Sequence, residues 1–317
     1  MSASVRVGER PEPHAGGVIT AGLASAVLFA VAPVIPILSL VAMVAPVPLI
    51  VQRLRRGLGS ALLATLLAAG ILGWTFSPGL ALGFLLVLVV PGLLLGEAMA
   101  RGRGLRRGCA WAFSFLVAQI ALGLLFAGPE VTPAVLQMFD AFRSPEFLAE
   151  MRARLPAENV EEFAAQATLV YKVMEVVYPA ALVIMGALVV LANAAVLRYY
   201  LARRDPGWLE GGEFEGIRWP LGLVMAFVIA GFGVAFPPVR PAAYNVLLVV
   251  AFFFALQGLA VTSYYARRLA GPPLLRGALV ALVLLNPWAP QILALLGLFD
   301  TWLDLRKWAE PPKSEER

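Results

Sequence analysis

One cysteine and one histidine stand in 317 residues, and charged residues make up only 14% of the chain. Each scarcity excludes a class of chemistry. Cys109 cannot close an internal disulfide, and at the start of an apolar run directly after a basic loop it is expected to pack rather than react. His14 lies in a polar N-terminal tail. With one of each, the apolar body holds no zinc constellation and no Cys-His or Ser-His pair. No paired Asp, Ser/Lys or His/Glu arrangement falls at mid-membrane depth, so neither an enzyme nor a cofactor is expected. Glycines are plentiful at 29, yet no Gly-x-x-x-x-Gly-Lys-Ser/Thr loop occurs, so any ATP dependence must come from another chain. No Ala-x-Ala site follows a short apolar N-terminal core, which argues against a cleaved signal.

What is abundant is apolar: 60% of residues are hydrophobic and the mean hydropathy is +0.82. A soluble domain of that composition would expose more apolar surface than water tolerates, so the solvent is lipid. The net charge of +5 does not imply nucleic acid, because the arginines sit in short breaks between apolar runs, where they act as topology determinants. Segments that can meet the roughly 20-residue requirement for a span, or approach it, are 18–32, 36–51, 58–74, 79–98, 109–127, 170–200, 220–237, 243–265 and 277–303. They are too long and too uniformly apolar for outer-membrane strands, so the expected class is all-α, a polytopic bundle of about eight spans plus a proline-broken C-terminal segment.

Basic clusters at Arg53/Arg55/Arg56, Arg101/Arg103/Arg106/Arg107, Arg198/Arg203/Arg204 and Arg267/Arg268/Arg276 assign one face, expected to be cytoplasmic in a bacterial inner membrane together with the N-terminus. Segments between consecutive clusters are then hairpins. The expected organisation is a flexible tail at 1–16, transmembrane helices at 17–127, an extracytoplasmic insertion at 128–169, transmembrane helices at 170–303 and a tail at 304–317. The insertion is acidic, and its apolar residues recur at helical spacing, as two short amphipathic helices would. Asn286-Pro287-Trp288-Ala289-Pro290 interrupts the last segment, leaving a single crossing or a broken hairpin open.

Small residues four apart on the first segment, Gly22-Ala26-Ala30 and Gly17-Ala21-Ser25, form helix-packing stripes, for another helix of this chain or for a partner protein. On the sixth segment Lys172, Glu175, Pro179, Leu182, Gly186 and Asn193 share a face. Lys172 and Glu175 are spaced for an ion pair or for lining a cavity. Gln119, Asn245, Gln257, Tyr264, Asn286 and Gln291 are the remaining polar groups at depth. Interhelical hydrogen bonds explain each singly; convergence of Gln119, Lys172, Glu175, Asn193, Gln257, Tyr264 and Asn286 on one cavity would suit a small neutral or zwitterionic solute. In the C-terminal run Gly297-Leu-Phe-Asp300-Thr-Trp302-Leu-Asp304-Leu-Arg306-Lys307, Asp304 has Lys307 one turn on, and Asp300, with no local partner on its face, is expected to reach an arginine of a cytoplasmic loop as a structural clasp.

This C-terminal run, together with Leu256-Gln257-Gly258 and the basic-flanked N-terminal hairpins, resembles the YybS-like family of bacterial membrane proteins, over most of residues 17–308. That family carries a domain of unknown function and is distantly similar to the substrate-binding S subunits of energy-coupling-factor transporters. The resemblance implies a subunit that docks on a membrane coupling protein and its ATPase through small residues of the first helix, which Gly22, Ala26 and Ala30 match here. It implies no ligand-contacting residue.

Overall fold

In a computed structural model, residues 15–35, 38–209, 214–268, 286 and 288–309 are described. Among them the chain is helical and carries no strand. The helices are α1 (Ala15–Val34), α2 (Ser39–Ala42), α3 (Val47–Arg56), α4 (Leu58–Thr75), α5 (Pro78–Gly83), α6 (Val90–Ala100), α7 (Gly104–Asp140), α8 (Pro145–Arg152), α9 (Ala157–Arg204), α10 (Leu221–Gly233), α11 (Arg240–Arg268) and α12 (Ala289–Leu303). A π-helical turn, Phe84–Val89, joins α5 to α6. Among the described residues, six stretches are long and apolar enough to span a membrane: α1, α4, the composite Pro78–Ala100, the first part of α7, α9 and α11. Helices α10 and α12 are apolar but shorter.

Two expectations are corrected. The segment 36–51 is not one span but two short helices, α2 and α3, separated by a turn at 43–46, because Pro46 and Pro48 remove donors from a continuous ladder. The stretch 128–169 is not an insertion of two short helices. Its first part prolongs α7 and its last part prolongs α9, with a 3₁₀ turn at Ala141–Arg143 and α8 between, α8 being capped at its start by the Ser144 hydroxyl accepting from Phe147 N–H. Compactness divides the chain into Met1–Ala121 with Met185–Gly211, and Leu122–Ile184 with Gly212–Arg317, so both boundaries inside helices fall within α7 and α9. His14, the first part of 277–303 and most of both tails lie outside the described residues.

The first unit is packed inside out relative to a soluble bundle. Helix α4 turns Ser60, Ala61, Ala64, Thr65, Ala68 and Leu72 inward while Leu62, Leu63 and Leu66 stay 45%, 53% and 66% exposed. Apolar contact alone does not drive helices together in lipid, so small residues that permit close approach take the interior and leucines face the hydrocarbon. Gly22 shows why. A Cβ there would lie 2.8 Å from the Ala64 carbonyl oxygen, so only glycine allows α1 to approach α4 at this point. Ala26 is buried too, and Ser25 donates to the Ala45 carbonyl at 2.7 Å. Gly22 and Ala26 of the first small-residue row are thus occupied by packing within the unit, while Ala30 is partly buried against the same core. Gln52 extends the polar pairing by donating to Ser60 at 2.6 Å.

In the second unit, Pro179 lies inside α9 and supplies no N–H to its ladder, and the side chain of Asn245 on α11 bonds the backbone beside it. Its amide oxygen accepts from Ala180 N–H at 2.8 Å and its amide nitrogen donates to the Val176 carbonyl at 2.8 Å, so one side chain bonds both backbone groups that flank the proline. Replacing Asn245 with Ala removes both bonds, and the expected loss is about 1–3 kcal/mol. Thermal unfolding of the purified variant in detergent measures it; a melting temperature equal to the wild type would show that the two bonds contribute no net stability.

Candidate functional site

Two places gather the polar groups at depth. The first surrounds Asn193, which is 2% exposed on α9. Its amide nitrogen donates to the Met43 carbonyl at 2.7 Å, an oxygen at the break between α2 and α3, and to the Val189 carbonyl at 2.8 Å. Its amide oxygen is buried and has no hydrogen-bond partner. Asn193 lines a narrow hollow with Leu88, Pro91, Gly92, Leu95, Ala112, Val189 and Val190, which is nowhere wide enough for a water molecule. The wall formed by Leu88 and Pro91 straddles the end of the π turn, where the helical register shifts. Such turns often mark functional positions, and irregular backbone at membrane depth is tolerated where it is covered by protein or lines a cavity.

The second place is where α11 crosses α12. Gln257 is fully buried and uses its whole amide: it accepts from Trp219 N–H at 3.0 Å and donates to Asp300 at 2.8 Å and Thr301 at 3.4 Å. Asp300, also buried, accepts from Leu305 N–H at 3.1 Å and pairs with Arg306 at 3.1 Å, and Arg306 donates in turn to the Ile217 carbonyl at 2.8 Å. The buried charge is therefore paired and hydrogen-bonded, the condition under which an interior ion pair is tolerated. Asp304, at φ 46°, ends α12 in the left-handed region. Its carboxylate is held by both guanidinium nitrogens of Arg218 at 2.6 and 3.1 Å and by Lys307 at 2.9 Å. Desolvation pushes the Asp304 carboxyl up, but the hydrogen bonds from Lys307 and Arg218 outweigh it and hold the group below the usual carboxylate range. Tyr264 donates to the Arg306 carbonyl at 3.4 Å, and Tyr265 to that of Leu305. The result is a clasp that ties the last helix and residues 217–219 to α11.

The residues expected to share one cavity are thus distributed. Asn193 and Gln119 belong to the first unit, and the Gln119 amide oxygen is likewise buried without a partner. Gln257 and Tyr264 belong to the clasp of the second. Lys172 and Glu175 are exposed and form no ion pair with each other. Asn286 is exposed and accepts from Trp288 N–H at 2.8 Å, a local turn ahead of α12. Trp302 is 55% exposed, consistent with an interfacial helix end. Arg218 and the Met43 carbonyl were not anticipated. Arg218 stands in a polar break without a helical register, and nothing local marks the Met43 oxygen as unpaired.

Long lipid-facing helices, small-residue interiors and proline-broken short helices define a polytopic α-helical membrane protein. The family model described as Predicted membrane protein (DUF2232) matches residues 23–301, and the chain belongs to that family. No curated protein and no solved structure matches it.

Proposed function

We propose that the protein is a transporter-like membrane subunit that binds a small neutral or zwitterionic solute in its first unit and relies on another chain for ATP hydrolysis. It is not itself an enzyme on this reading, and it sits in a bacterial inner membrane with the arginine-bearing ends of its helices at the cytoplasmic face. The observation that carries the proposal is the buried, unpartnered amide oxygen of Asn193 beside the hollow at the π turn. An acceptor left unmade at depth costs about 1–3 kcal/mol, which a ligand N–H or O–H would recover. The hollow is too narrow even for water, so binding requires the wall at Leu88 and Pro91 to move outward. The resemblance to coupling-factor S subunits supports a partner-dependent transporter, although Gly22 and Ala26 are used inside the unit and the partner must dock elsewhere.

The test is purification from native membranes into lipid nanodiscs, with mass spectrometry of both bound small molecules and co-purifying proteins. The expected result is a retained solute that Asn193→Leu weakens about tenfold, the equivalent of one hydrogen bond, and that Ala112→Val displaces by filling the hollow. Retention of the same solute by both variants, or recovery of neither solute nor ATPase, overturns the proposal. A second reading, a scaffold for a membrane complex, is favoured by the complete internal use of Gln257 and Asn245, which leaves no free polar group for recognition at either position. Recovery of a stable protein partner with no solute would select it.

A further inference from the structure

At one end of the first unit, ion pairs gather the tails of three helices. Arg53 of α3 and Arg101 both reach Glu97 of α6 at 2.7 Å, and Arg55 reaches Asp205, just beyond α9, at 2.7 Å. The Asp205 hydrogen bond raises the pKa of Arg55 above its ordinary value, keeping that charge in place. Glu97 and Asp205 are the carboxylates of this unit among the described residues, and both are already spent. Arg103, Arg106 and Arg107 remain exposed, and none has an acidic partner among the described residues. Two of them lie in the first turn of α7, a turn that holds no acidic residue, although a helix N-terminus favours negative charge. The local balance is positive charge placed on a positive helix end, and it calls for an external anion.

The depth of these residues says which anion. Helix α7 enters its membrane-spanning stretch at Gly104, so Arg106 and Arg107 stand one turn from the apolar run that begins at Cys109. Guanidinium groups at that level meet phospholipid headgroups, and each is a five-donor fork suited to phosphate oxygens. We infer that Arg103, Arg106 and Arg107 form a binding site for the phosphate of an anionic phospholipid. The Arg53–Glu97–Arg101 chain fixes the preceding loop, since Arg101 is anchored while Arg103 is left free. The inference is independent of solute binding at Asn193.

The experiment is native mass spectrometry of the whole protein in mild detergent, titrated with phosphatidylglycerol and, separately, phosphatidylcholine. Phosphatidylglycerol adducts are expected on the wild type at concentrations where phosphatidylcholine gives none. The triple variant Arg103→Gln/Arg106→Gln/Arg107→Gln is expected to bind phosphatidylglycerol about a hundredfold more weakly, and Arg204→Gln, an exposed arginine at the end of α9, within about twofold of wild type. A loss of about fivefold in Arg204→Gln, one arginine's share of a hundredfold loss spread over three, would show diffuse charge attraction and overturn the site. So would unchanged binding by the triple variant, or equal retention of phosphatidylcholine. Displacement of the lipid by millimolar inorganic phosphate would reassign the site to a free oxyanion. Loss of a co-purifying protein from the triple variant, with lipid binding intact, would reassign the patch to that protein.

Discussion

Adding a single methyl group at Gly258 or Gly297 is expected to unfold the junction of α11 and α12. A Cβ on Gly258 would sit 2.0 Å from the Leu293 carbonyl oxygen, and one on Gly297 would sit 1.9 Å from that of Phe254. The obstacles are backbone atoms of the facing helix, so no rotamer change relieves them and the helices must separate. Separation uncouples Gln257 from Asp300, so the clasp is lost with the contact. Overpacking with compensation costs about 1–3 kcal/mol, and without it the loss passes roughly 4 kcal/mol. Gly258→Ala and Gly297→Ala should therefore each lower the melting temperature sharply and sensitise residues 289–309 to proteolysis. Gly70→Ala is the contrast. That position lies within α4, is exposed and has nothing within 4 Å of a Cβ, so the same change should be neutral or stabilise by about 0.5–1 kcal/mol. Equal behaviour of the three variants would show that the crossing is not as close as it stands.

Much of this architecture is legible in the sequence because lipid imposes a length rule. The runs at 58–74, 109–127 and 243–265 fall within α4, α7 and α11, and the arginine clusters mark where apolar helices emerge. Hydropathy reports where a helix is dry, and helices do not stop where they become wet. That is why the polar stretch 128–169 looked separate although α7 and α9 run on into it, through residues such as Gln137 and Glu162 that are good helix formers. The π turn at Phe84–Val89 leaves no mark in a uniformly apolar string. The split of the polar groups between two units was hidden for another reason. Asn193 and Gln257 are each conspicuous as amides in lipid, but their partners, the Met43 carbonyl and Asp300, lie 150 and 43 residues away, and one of them is a backbone atom that every residue has. The need of Asp300 for an arginine could be inferred from charge alone. That Arg306, six residues on, would supply it depends on the left-handed turn at Asp304, which folds the chain back.

That turn makes the Asp300–Arg306 pair the source of the second large effect, and the double variant should lose less stability than the Asp300 single variant. The Asp300 side chain is fully buried and that of Arg306 is 6% exposed. Asp300→Ala strands a guanidinium in the interior and also removes the acceptor for Gln257 and for Leu305 N–H. Breaking one side of a buried pair costs about 3–5 kcal/mol, mostly because the remaining charge is uncompensated. Arg306→Met strands the carboxylate instead, but Gln257 and Leu305 still donate to it, so its loss should be the smaller of the two. With Asp300→Leu and Arg306→Met together no charge is left buried, and the double variant is expected to recover at least half of the stability lost by Asp300→Leu alone. It will not recover all of it, because Gln257 and the Ile217 carbonyl each keep a bond unmade. Chemical denaturation in detergent of the wild type, the two singles and the double gives the coupling directly. If the two single losses simply add in the double variant, the pair contributes no coupling, and the clasp is held by the glycine crossing and the Arg218–Asp304 bridge instead.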